Sequence, residues 1–177
     1  MTSPKKLFEY LLAKKIRHES LVHRTIFTGY DLAATLRIPG TQVAKALFLK
    51  HEKGAFLAVL SAAHTLDFFK LAKILKVKKI RIPKEREMID FLAIKKSPLI
   101  PFGSRYKLPV VLDKAFLKNK KAVFNAGAFN QSVSMAVKDF IALEKPLIGA
   151  CSLLKKIVLP KKKINSVKKS AHRKTKK

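Results

Sequence analysis

The 177-residue sequence predicts an α+β fold, a compact single domain with a mixed, curved β-sheet flanked by helices. Three observations carry that expectation. Apolar residues recur at helical spacing in some segments and in short continuous or alternating runs in others. The two kinds of segment are interspersed without a strict strand–helix–strand repeat, which disfavours a doubly wound parallel sheet. Finally, a hydrophobic content of 48% over this length is enough for one sizeable core.

Ser3 can cap a helix with Pro4 at its first position, and Leu7, Phe8, Leu11 and Leu12 follow at helical spacing, so a helix is expected to run to near Arg17. A short strand is expected at 20–23. Thr28 has the character of an N-cap for a helix through Tyr30, Leu32, Ala33 and Leu36. That helix must stop before Ile38-Pro39-Gly40, because the residue ahead of a proline is pushed out of the helical region. Segments 43–49 and 55–60 read as strands joined by a hairpin loop in which Gly54 can take an unusual backbone angle. Thr65 is expected to cap a further helix, whose Leu66, Phe69, Leu71, Ala72, Ile74 and Leu75 form a broad apolar face. A strand at 79–82 and a helix at 84–92 precede a proline-rich loop, and 110–112, 122–125 and 133–137 read as strands.

Charge narrows the partners. There are 39 Lys and Arg against 11 Asp and Glu, a net +28, which repels itself unless an anion offsets it. Nucleic acid is the natural partner. An anionic membrane surface ranks last, since there is no clear amphipathic anchor and no apolar run approaches the ~18 to 20 residues that span a bilayer. The first residues do not read as a secretory signal, because Glu9, Lys14 and Lys15 interrupt the apolar stretch, and a cytoplasmic protein is expected. Charge also locates a boundary: 155–177 carries 11 Lys and Arg and no acid, so we expect a domain at 1–154 and a basic, disordered arm at 155–177. Such an arm can hold nucleic-acid phosphates by counterion release without a defined shape.

Several chemistries find no support. Cys151 is the one cysteine, so no internal disulfide forms, and the five histidines show no zinc-binding spacing; neither a metal nor a cofactor is expected. Gly-rich phosphate loops and GxSxG elbows are absent from the sequence. What stands out is Lys45 inside the apolar run Val43-Ala44-Lys45-Ala46-Leu47-Phe48-Leu49. A buried ammonium is costly, so such a lysine either snorkels outward or faces a site where its charge meets an anion or a polarised carbonyl. Gly127, within Phe124-Asn125-Ala126-Gly127-Ala128-Phe129-Asn130, lets the chain turn or approach a ligand closely.

Together with Ser97-Pro98-Leu99-Ile100-Pro101-Phe102-Gly103 and Leu108-Pro109-Val110-Val111-Leu112-Asp113, these segments resemble the YbaK/ProX family of aminoacyl-tRNA editing domains over roughly residues 20–146. The resemblance implies the same α+β architecture and a free-standing deacylase acting in trans on mischarged tRNA, with an aminoacyl-tRNA synthetase as a second partner. By the same resemblance, Lys45 and Gly127 are the catalytic positions, Lys45 polarising the ester carbonyl or holding the terminal phosphate. His23 matches an approach residue, and the loop ending Pro101-Phe102-Gly103 would line the substrate pocket. Two departures fall in that pocket. Ser97 stands where the family has a glycine, and Phe129 where many relatives have a histidine, so a small aminoacyl group such as alanine or serine is expected. A non-catalytic RNA-binding protein that keeps the fold is the alternative.

Overall fold

The Ser3 hydroxyl accepts from the Lys6 amide and starts α1 (Pro4–Ala13), which buries Leu7 and Leu11. The computed structural model of the protein describes residues 3–94 and 97–155. Helix α1 ends short of Arg17, because Lys15 adopts φ 55° and donates its amide back to the Leu12 carbonyl. Strand β1 (His18–Val22) follows, then α2 (Gly29–Leu36), capped by Thr28 as expected and closed by the left-handed Arg37.

Strands β2 (Ala44–His51) and β3 (Gly54–Ser61) form the anticipated hairpin, in register from Ala44 opposite Ser61 to His51 opposite Gly54. Gly54, at φ 143°, makes the turn. The expected Thr65 cap is corrected: Thr65 lies in β4 (His64–Leu66), and the side chain of Asp67 caps α3 (Phe68–Leu75) by accepting from the Phe69 and Lys70 amides. Two elements follow close to expectation, β5 (Ile80–Arg81) and α4 (Glu85–Leu92). Beyond the loop come β6 (Val110–Asp113), β7 (Lys121–Ala128) and β8 (Gln131–Ala136). The strand expected to reach Val137 stops one residue earlier, where α5 (Val137–Glu144) begins, and β9 (Leu147–Gly149) and β10 (Ser152–Leu154) complete the chain described.

The class is α+β, and the strands form three sheets. A five-stranded mixed sheet has the order β5-β2-β3-β6-β9, with parallel pairing at β3–β6 and β6–β9. A three-stranded antiparallel sheet has the order β1-β8-β7, and β10 pairs with β4. Strand β3 sits between neighbours with both faces covered, which is why 56–60 reads as a continuous apolar run rather than an alternating one. The two larger sheets close on a core in which Phe124 stacks on Phe140 at 4.8 Å, with Phe102 5.5 Å from Phe140 and Phe116 6.0 Å from Phe124. On the other face of the five-stranded sheet, the buried Asp113 carboxylate accepts from the Cys151 amide at 3.0 Å and the Ser152 hydroxyl at 2.6 Å. This clamps the segment leading into β10 against the end of β6. Cys151 is buried beside it, and burial with the Asp113 charge pushes its thiol up to about 12, so it is an inert packing group.

Candidate active site

Four pieces of chain meet around a cavity of about 210 Å³: the start of β2, the first turn of α2, the loop at 98–101 and the β7–β8 turn. Gly29 permits this meeting. A Cβ there would lie 2.8 Å from the Ala62 Cβ, so a side chain would push α2 off the end of β3. Ile26, Leu32, Val43, Leu99 and Phe129 give the cavity apolar walls, and Lys45 is the one titratable side chain among its lining residues.

The other polar side chains in the lining are committed to holding the backbone. Thr28 donates to the Asp31 carboxylate at 2.7 Å and accepts from the Asp31 amide. Asn125 accepts the Gly127 amide at 2.7 Å and donates to the Ala128 carbonyl at 3.1 Å, fixing the irregularity in register that ends β7. Lys45 is half-buried, and its Nζ donates to the His64 carbonyl in β4 at 2.5 Å. Burial, and then the Lys155 ammonium, hold its pKa below that of a free lysine. Lys155 is itself fixed by its amide on the Ala63 carbonyl at 2.9 Å, with its ammonium 5.0 Å over the Tyr30 ring. At the cavity mouth, Phe27 is 75% exposed and packs on Phe129 with ring centroids 5.1 Å apart.

Of the residues singled out in the sequence, Lys45, Pro101 and Phe129 come together in this lining. Phe102 and Gly103 do not. Phe102 is fully buried in the aromatic core, and a Cβ on Gly103 would meet the Val110 side chain at 2.4 Å, so both residues pack the loop down. Gly127 takes φ 98°, which glycine adopts without strain, but its amide is occupied by Asn125 and is not offered to the cavity. Ser97 precedes the lining residue Pro98 without lining the cavity itself. His23 lies just beyond β1, outside the lining. Its Nδ1 donates to the Arg24 carbonyl at 2.8 Å, and its Nε2 is hydrogen-bonded to the buried Ser132 hydroxyl at 2.9 Å.

Asn125 and Phe27 were missed in the sequence. An Asn two residues before a Gly is a recognisable turn signal and could have drawn attention to Asn125. For Phe27, an aromatic residue just before a helix cap carries no distinguishing pattern. Among the described residues, no group of three or more His, Cys, Asp or Glu is placed to hold a metal ion. No described helix is long and apolar enough to cross a membrane.

The class this defines is an α+β domain with a lone lysine in an apolar cleft. The family profile of the aminoacyl-tRNA editing domain matches residues 23–143, and the chain belongs to that family. No curated protein matches it. Among solved structures, the chain is similar to a proposed trans-editing enzyme for prolyl tRNA synthetase, with TM-score 0.72 and 19% identity over 86% of this chain and 99% of that one. It is also similar to the hypothetical protein APE2540, with TM-score 0.75 and 17% identity over 84% and 99% of the two chains.

Proposed function

We propose that this protein is a free-standing, cytoplasmic aminoacyl-tRNA deacylase that hydrolyses the ester of mischarged tRNA in trans. The observation that carries this is Lys45, a single half-buried cation set in apolar walls. The aminoacyl ester is already activated, so a catalyst needs chiefly to hold it, admit water and stabilise the oxyanion. An ammonium has three N–H donors, so Lys45 can keep its bond to the His64 carbonyl and still donate to the ester oxygen. Water adds to the ester carbon, the bond to the ribose oxygen breaks, and that oxygen leaves with a proton. The products are the free amino acid and uncharged tRNA. No carboxylate, imidazole or thiol lines the cavity, so proton transfer falls to water and to the neighbouring hydroxyl of the terminal ribose.

A cavity of about 210 Å³ is smaller than the ~300 Å³ lower bound for drug-sized ligands and suits a small aminoacyl group such as alanine or serine. Residues 1–154 form the editing domain in this scheme. The arm at 155–177 adds 11 cations that recruit tRNA phosphates, and all of it after Lys155 lies outside the described residues. An aminoacyl-tRNA synthetase is a further partner. A second reading, a non-catalytic RNA-binding protein, draws its support from Phe129 and from the lack of a second titratable group in the lining. Incubation with a panel of mischarged tRNAs decides between them. Release of one amino acid above the uncatalysed rate supports the deacylase; tight tRNA binding with no release supports the binder.

A further inference from the structure

The three-stranded sheet has a second feature at its far end. Strands β1 and β8 run from Val22 opposite Gln131, on the cavity side, to His18 opposite Met135. Around that second end lie two open troughs of about 660 and 560 Å³, and Lys121, Ala136 and Lys138 line both, so they form one continuous surface. Six exposed cations border it, Lys15, Arg17, Lys118, Lys120, Lys121 and Lys138, against two acids, Glu19 and Asp139. None of the six is ion-paired among the described residues, although both acids share the trough; the three ion pairs formed lie elsewhere. A net +4 is thus held at one place with its charges unspent.

This surface extends toward the cavity, from which a packed apolar cluster of Leu32, Val43 and Val123 separates it. A hollow of about 290 Å³, with Leu21, Leu36, Ile38 and Val123 in its walls, shares Lys121 and Ser134 with the trough. Helix α2 spans the gap, with Leu32 on the cavity and Leu36 on the hollow. Lys121 and Asn125 lie on one face of β7 four residues apart, about 14 Å at the ~3.4 Å rise of an antiparallel strand.

We propose that the trough seats the sugar–phosphate backbone of the RNA whose 3′ end enters the cavity, so that the folded domain carries an RNA-binding surface of its own, separate from the basic arm. This rests on tRNA being the substrate. A concave channel walled by unpaired cations suits a charged backbone recognised without regard to sequence. It does not suit a flat lipid surface, which calls for projecting apolar anchors.

The test uses the full chain and, as probe, an uncharged 12-base-pair RNA hairpin with a four-nucleotide 3′ overhang. One variant replaces Arg17, Lys120, Lys121 and Lys138 by Gln. A charge-matched control replaces the exposed Lys73, Lys76, Lys78 and Lys79 by Gln. Both sets lie on the surface, where substitutions disturb folding little. With four phosphates no longer neutralised by the trough, the slope of log K against log salt should become shallower by about 3, and binding near 0.15 M salt should weaken about 100-fold, while the control changes the slope by less than about 1. Equal loss in both variants would overturn the proposal, since net charge alone would then explain it. So would unchanged RNA binding with reduced retention on vesicles containing anionic lipid. If the slopes behave as expected but no mischarged tRNA is hydrolysed, the deacylase assignment fails and the trough stands.

Discussion

Replacing Lys45 by Met tests the proposed chemistry most directly, because Met keeps much of the side-chain volume and removes only the charge and its donors. Removing one preorganised donor from an oxyanion site typically costs about 100- to 1000-fold in rate, or about 3–4 kcal/mol of transition-state stabilisation. Stability should respond far less. The variant loses a charge-assisted bond to the His64 carbonyl, worth about 1.5–3 kcal/mol. It also escapes the desolvation of a half-buried ammonium and its repulsion by Lys155, the two causes that depress the Lys45 pKa. These oppose each other, so the net change should stay within about 1 kcal/mol, or about 2–4 °C in Tm for a domain of this size. The assay is single-turnover release of the amino acid from the best mischarged tRNA under excess enzyme, with a thermal melt beside it. Lys45→Arg should rescue poorly, since a planar guanidinium does not fit a site shaped around a point charge. Hydrolysis at the parental rate by the folded Met variant would refute the assignment.

The remaining expectations follow from the same geometry. Lys155 helps to depress the Lys45 pKa, so the charged form is lost at lower pH than in a free lysine; Lys155→Gln should move the alkaline limb of the pH–rate profile to higher pH, and an unmoved limb would separate Lys45 from the titration. Phe129 walls the cavity and packs on Phe27, so Phe129→Ala should admit a bulkier aminoacyl group and Phe129→His should raise the rate by supplying a proton carrier; identical selectivity and rate in both would remove Phe129 from the specificity account. Deleting 156–177 should weaken tRNA binding and flatten its salt dependence by about 0.7–0.9 per phosphate released, with turnover at saturating tRNA little changed. An unchanged slope would make the arm a solubilising appendage.

The hairpin of β2 and β3 and the caps at Ser3 and Thr28 were legible because each rests on local chemistry: an apolar run, a hydroxyl before a helix, a glycine at a turn. Helix α5 was not, since Ala136 offers no capping side chain and the helix follows β8 without a break. Strands β4, β9 and β10 have three residues each, too few for a period to show, and β10 owes its place to a distant partner, Ser152 opposite Leu66 having no local cause. The site divides the same way. Lys45 announced itself as a charge in an apolar run, whereas the burial of Phe102 depends on Phe124 and Phe140, which only the tertiary fold brings together.

The carboxylate of Asp113 sets where this protein can be shortened. It holds Cys151 and Ser152, the strand they open pairs with His64–Leu66, and the His64 carbonyl receives Lys45. A truncation placed ahead of Cys151 would therefore strip β10 from the strand whose His64 carbonyl receives Lys45, as well as the basic arm, and its inactivity would be misread as a need for the arm. The informative cut falls after Lys155, whose amide still closes on Ala63.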